Sequence, residues 1–183
     1  MRPLSSLATL VACLIAHPAA AGEADAPAPD HTGPGFHASL SGSVDNGALA
    51  GTIGARYAIT RGWLVGLDVE YNPWVSFEGR RLGLGAFNSY ATFIYRWDVT
   101  QHVALRATFH VGASVLLFDL VGAPAGSTGP LVGGNILGLS YEVADEVYLL
   151  LDPAQIMLPA PQIRGAPLVY HQYRLTLGLQ VGG

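Results

Sequence analysis

Eight charged residues stand apart in this 183-residue chain: Arg56, Arg96, Arg106 and Arg174, against Asp68, Glu70, Glu142 and Asp152. Each occupies a polar position in a segment whose alternate positions are apolar. Successive side chains of a strand point to opposite faces, so all eight belong to one inward face. In a low-dielectric interior an unpaired charge is very costly, so four cations against four anions predict paired, hydrogen-bonded lumen charges with a structural role. Antiparallel pairing around Thr60–Gly62 brings Arg56 near Asp68. Glu142 lies at a level that Arg106 reaches, and is read as its partner. The other use of such a set is a proton or ion path.

Nucleophile chemistry has two candidate pairs. His110 and Ser114 share the inward face of one strand but lie ~13 Å apart along it, beyond hydrogen-bond reach. His37 and Ser39 are closer, ~7 Å apart on one face, and also point inward. No catalytic residue is therefore assigned. The six histidines are single residues without His-x-His or HExxH grouping, so neither a metal site nor a cofactor is assigned. Gly83-Leu84-Gly85 and Gly133-Gly134 read as points of strand curvature, since no helix follows them to make a phosphate cradle.

The elements that must position these residues are strands. Val103–Leu117 is the clearest, with Val103, Leu105, Phe109 and Val111 on one face and Arg106, Thr108 and His110 on the other. A tilted strand of ~9–11 residues crosses a bilayer core, where only helices or closed barrels satisfy their backbone. Eight strands are predicted: Phe36–Val44, Leu49–Thr60, Trp63–Asn72, Leu82–Trp97, Val103–Leu117, Val132–Val143, Val147–Asp152 and Val169–Val181. Asn46-Gly47 supplies a tight hairpin turn and Pro73 ends the third strand. Connections two, four and six are brief (Thr60–Gly62, Asp98–His102, Ala144–Glu146) and read as periplasmic. Pro73–Arg81, Asp119–Leu131 and Pro153–Leu168 are longer and read as external loops. Trp63, Tyr95, Trp97 and Tyr141 fall at periplasmic strand ends, where an aromatic girdle belongs.

The ends and the composition agree. Met1-Arg2, the apolar Leu7–Ala16 and Ala19-Ala20-Ala21 have the layout of a secretory signal peptide, residues 1–21, cleaved before Gly22. Leu10-Val11-Ala12-Cys13 also has the form of a lipobox, the alternative in which Cys13 carries lipid. Residues 22–34 read as a flexible periplasmic lead-in, and residues 35–183 as the barrel. Charged residues make up 12% of the chain and lysine is absent. Soluble domains carry ~25% charged residues. The net charge of −4, without a basic stripe, argues against nucleic acid.

Over residues 35–183 this pattern resembles the small outer-membrane barrels of the OmpA transmembrane-domain and OmpX type. The resemblance implies an all-β, eight-stranded antiparallel up-and-down transmembrane β-barrel, monomeric, in the bacterial outer membrane. It also implies outer-membrane lipids, lipopolysaccharide and the barrel-assembly machinery as partners, with an envelope-structural or surface-interaction role. Arg80, Arg81 and Arg164 fall in external connections, either as solvated loop charges or as guanidinium contacts to lipopolysaccharide phosphates. One departure is the end, Leu179-Gln180-Val181-Gly182-Gly183, which lacks the final aromatic that assembly machinery reads in such barrels. Three rivals are a lipid A-modifying enzyme, a soluble lipocalin-like barrel and an accessory subunit of an envelope complex. The first uses a His-x-Ser pair, but inward His37 and Ser39 would not meet lipid. The second turns the apolar face inward.

Overall fold

The computed structural model describes residues 35–45, 48–60, 62–73, 75–77, 80–120, 123–163 and 165–182. They form β1 (Phe36–Asp45), β2 (Ala48–Thr60), β3 (Trp63–Asn72), β4 (Val75–Phe77), β5 (Arg80–Leu82) and β6 (Gly85–Asp98). The chain continues with β7 (Val103–Leu120), β8 (Ala123–Ala144), β9 (Val147–Pro159), β10 (Gln162–Ile163), β11 (Ala166–Pro167) and β12 (Gln172–Val181). Eight of them close into an antiparallel barrel in the order β1-β12-β9-β8-β7-β6-β3-β2. The pairs β4–β5 and β10–β11 are small hairpins on two of the connections. The leader and lead-in readings fall on residues outside those described.

Closure requires stagger. Cross-strand partners traced from Phe36 through Tyr57, Val65, Phe93, Phe109, Gly134 and Ile156 reach Tyr173, two positions beyond the Val44–Leu175 pair. One circuit therefore advances the register by about ten residues, which tilts the strands as a small barrel needs.

Alternation sorts the side chains inside out. On β7, Arg106 is 4% exposed while its near neighbour Phe109 is 53% exposed. Asp68, Glu70 and Arg174 are buried, whereas Leu40, Ile53, Leu67, Leu177 and Leu179 are exposed. A soluble barrel hides its apolar face and wets its charges. This one does the reverse, which overturns the soluble lipocalin-like rival. A closed wall with an apolar exterior is what hydrocarbon permits. Aromatic pairs ring both ends. Trp63–Tyr95 (4.9 Å), Tyr95–Trp97 (5.6 Å) and Phe36–Tyr57 (5.0 Å) mark the end with the short turns. Tyr71–Phe87 (4.7 Å) and His171–Tyr173 (5.4 Å) mark the other.

The strand boundaries depart from the sequence pattern at that far end. The fourth barrel strand begins at Gly85, not Leu82, because Gly83 (φ 63°) and Gly85 (φ 146°) take conformations that break it. Arg80–Leu82 folds back instead onto Val75–Phe77. The expected loop Asp119–Leu131 is a hairpin, with β7 running to Leu120 and β8 starting at Ala123. Its Pro and Gly content is tolerated for a geometric reason. The Ala160 N–H donates to the Pro130 carbonyl at 2.8 Å, so the missing Pro130 N–H faces the β9 side. Pro124 has the same parity, and among the described residues β8 pairs on that side only from Pro130 onward. Pro124 thus sits where the ladder asks for no donor, and Pro130 at the end of the β9 ladder, where a single donor is lost.

Pro153 does not end the seventh barrel strand, which continues to Pro159. Between the pairs Asp152–Thr176 and Gln155–Arg174 the register shifts, so two residues of β9 oppose one of β12. Pro153 and Ala154 fill this bulge, exposed, and both Asp152 and Gln155 point inward. A second bulge on β8 lies alongside. Ile136 and Leu137 both face outward between the inward positions Asn135 and Gly138.

Candidate functional site in the barrel lumen

The lumen is built in layers. Nearest the short turns, Ala58, Leu64 and Ile94 form an apolar cluster. Above it Arg56 donates to Asp68 at 3.0 Å and also to Ser39, while Thr92 donates to the same carboxylate. Thr92 Oγ1 lies 3.1 Å from His110 Nδ1, and the Gln155 amide meets His110 Nε2 at 2.8 Å. Thr176 donates to Gln155 Oε1 at 3.0 Å. The donor directions agree along this chain when His110 carries its proton on Nδ1, donates to Thr92 and accepts from Gln155. Arg106 donates to Asp152 at 2.7 Å.

Glu70 centres the next layer. It accepts from Arg174 at 2.5 Å, from the Asn88 amide at 2.7 Å and from the Tyr90 hydroxyl at 3.2 Å. Arg174 also donates to Gln172. Tyr90, Leu131 and Met157 pack as an apolar cluster. At the far mouth Val75, Ala86, Leu116 and Tyr170 form another, with Phe118 and Leu168 against it. A cavity of about 30 Å³ remains among Ser39, Ser43, Arg56, Arg106, His110 and Gln155. That holds a water or two.

All eight charges found in the sequence are placed. Arg56, Asp68, Glu70, Arg106, Asp152 and Arg174 lie deep in the lumen, and Arg56–Asp68 is the pair expected. Arg96 and Glu142 sit toward the short-turn mouth. Arg96 donates to Asp98 at 3.1 Å and lies 5.0 Å from the Tyr148 ring centre. The partner of Arg106 is corrected: it is Asp152, and the Glu142 carboxylate instead lies 3.4 Å from His102 Nδ1. Arg106 faces Gly138 across the β7–β8 ladder, and the Asp152 carboxylate lies where a Cβ on Gly138 would stand. Arg106 reaches over this bare backbone to the next strand.

Sequence reasoning missed the roles of Ser39, Thr92, Asn88 and Gln155. Parity alone put the first three inside, but Gln155 was hidden behind Pro153. Asp98 and His102 were read only as turn residues. The inward His37 and Ser39 are buried, with Ser39 engaged by Arg56. His110 is bound to Thr92 and Gln155. The backbones of Arg80 and Arg81 belong to β5, but their side chains, and the whole of Arg164, lie outside the described residues. Among the described residues no three His, Cys, Asp or Glu side chains converge to hold a metal.

The architecture is shared with solved barrels. Neisserial surface protein A superposes with a TM-score of 0.59 at 18% identity, over 81% of this chain and 94% of that one. The N-terminal β-barrel domain of Pseudomonas aeruginosa OprF gives 0.57 at 11% identity, over 81% and 97%. A de novo designed transmembrane β-barrel gives 0.51 at 9% identity, over 88% and 100%. No protein-family model matches the chain, nor does any curated protein sequence. The chain is a small eight-stranded transmembrane β-barrel of the outer-membrane type. At these identities the likeness extends to the fold.

Proposed function

We propose that the protein resides in a bacterial outer membrane, reached through a signal peptide removed after Ala21, and acts there as a monomeric, non-enzymatic barrel. Its role is envelope-structural or one of surface interaction, with the lumen as a plug. The supporting observation is the occupied interior: three buried ion pairs, apolar layers at both mouths and about 30 Å³ between them. The deep lumen charges are engaged with one another and not presented to a substrate. The short turns face the periplasm and the long hairpins the cell exterior, as in bacterial barrels generally. Arg80, Arg81 and Arg164 would then meet lipopolysaccharide phosphates from the outer side.

Fractionation with heat-modifiable migration tests this reading. The outer-membrane fraction should contain a band that shifts on boiling, beginning at Gly22 by N-terminal sequencing. Lipid A from cells with and without the protein should have the same mass. A lost acyl chain would make the protein an enzyme.

A further inference from the structure

The barrel wall is interrupted at one seam. Between β8 and β9 the pairs run from Leu131–Pro159 to Gly134–Ile156, stop, and resume at Leu139–Leu151. Residues 135–138 of β8 and 152–155 of β9 therefore face each other without forming a pair. The interruption arises because the two bulges, Ile136–Leu137 and Pro153–Ala154, fall opposite each other. Elsewhere in the barrel, among the described residues, a register shift leaves out at most two residues of a strand. Bulged residues are turned out of the ladder, and proline has no N–H to return to it. Ile136 is 88% exposed and Leu137 57%, so little covers them. On the lumen side Asn135 is buried, and neither of its amide atoms has a hydrogen-bond partner among the described residues. A buried amide without a partner is costly, so the edges of this seam do little to hold it shut.

Two side-chain links that pass over β8 hold it instead. Asp152 of β9 accepts from Arg106 of β7 at 2.7 Å, across the bare backbone of Gly138. Gln155 of β9 meets His110 of β7 at 2.8 Å. Asp152 and Gln155 flank Pro153 and Ala154 directly, so the two links bracket the bulge. Arg106, His110, Asp152 and Gln155 also line the lumen cavity, which therefore lies directly behind the interrupted stretch. Apolar clusters close both mouths of the barrel. On this side the links stand between the cavity and the break in the wall.

We propose that the β8–β9 seam is a latched lateral opening. It parts at residues 135–138 and 152–155 while the other seven seams stay closed, and joins the lumen cavity to the outer face of the wall. Arg106–Asp152 and His110–Gln155 are the latch. The continuous pairs on either side, Leu131–Pro159 to Gly134–Ile156 and Leu139–Leu151 to Glu142–Tyr148, are the fixed ends that keep the opening local. Arg56–Asp68 makes the contrast. It joins β2 to β3 where those adjacent strands are already paired residue by residue, and latches nothing.

Amide hydrogen exchange of the full protein in lipid nanodiscs, followed residue by residue by NMR, tests the opening. The informative amides are those that bond across the seam in the bordering pairs, Gly133–Met157, Gly134–Ile156, Leu139–Leu151 and Ser140–Leu150. In wild type they should exchange at least tenfold faster than amides bonded across the unbroken β3–β6 seam. Arg106→Leu with Asp152→Leu, which unlatches without stranding a charge, should raise them a further tenfold and leave β3–β6 unchanged. Arg56→Leu with Asp68→Leu should leave the β8–β9 amides as in wild type. A disulfide formed by Ile136→Cys with Ala154→Cys, which the flanking register sets opposite each other, should slow the bordering amides to the β3–β6 rate. Equal exchange at the two seams in wild type overturns the opening. A rise spread evenly over all seams in the Arg106 and Asp152 variant overturns the latch. Where that variant folds poorly, wild-type exchange and the disulfide decide, and a disulfide that leaves the bordering amides unchanged overturns the opening.

Discussion

Arg106 and Asp152 meet across a gap that only glycine leaves open, and this decides what their loss does. Arg106→Leu strands a buried carboxylate and should cost roughly 3–5 kcal/mol, while Arg106→Leu with Asp152→Leu should recover part of it. Denaturant titrations of the two variants and wild type in lipid vesicles would show the recovery or its absence. The outward face behaves differently. Phe109, 53% exposed, should tolerate leucine almost silently, because lipid fills the space. Phe109→Arg near the midplane should cost about 2–4 kcal/mol in the same titrations. Inward and outward positions were legible residue by residue, since parity needs only the local sequence. The partner of Arg106 was not, because it depends on two neighbouring strands and the missing side chain between them.

At the scale of the element, the bulge at Pro153–Ala154 decides which residues of β9 reach the lumen. Deleting Pro153 and Ala154 together sets Gln155 directly after the inward Asp152, turning Gln155 and Met157 to lipid and Ile156 and Leu158 inward. His110 and Thr176 would lose Gln155 together. The deletion variant should fail to acquire the heat-modifiable form when refolded into detergent, whereas Pro153→Ala should fold. A deletion variant that shifted on boiling as wild type does would mean that the bulge is dispensable. Strand interiors such as Trp63–Asn72 were readable because nothing interrupts their alternation. Past Pro153 and Pro130 the alternation changes phase or carries no apolar signal. Proline and glycine there look like loop residues although the ladder has room for them.

The whole molecule is a wall of apolar side chains around a polar, charge-paired interior. With an eight-stranded bore filled by Arg56, Arg106, Arg174 and Tyr90, and Tyr170 and Leu116 across one mouth, appreciable conduction is not expected. Planar bilayers containing the purified barrel should show no stable, large unitary currents. Persistent steps would mean that the charge layers part. Closure, strand number and the side that meets lipid could all be anticipated, because each follows from repeated alternation and connection length. The purpose of the barrel could not. Its exposed connections carry no motif, and its charges serve one another.

The prolines of the long hairpin have a consequence for life in a crowded envelope. Beyond the barrel rim, β8 projects a stretch from Ala123 to Gly129 that, among the described residues, only β7 pairs. A bare edge of that kind is a template on which extended segments of neighbouring molecules can stack into growing ribbons. Pro124 and Pro130 silence the donors at both ends of the stretch, leaving only Gly126 and Thr128 to offer N–H groups there. With the Pro124 donor missing, an incoming strand meets an incomplete ladder there, which makes this edge a poorer template for stacking.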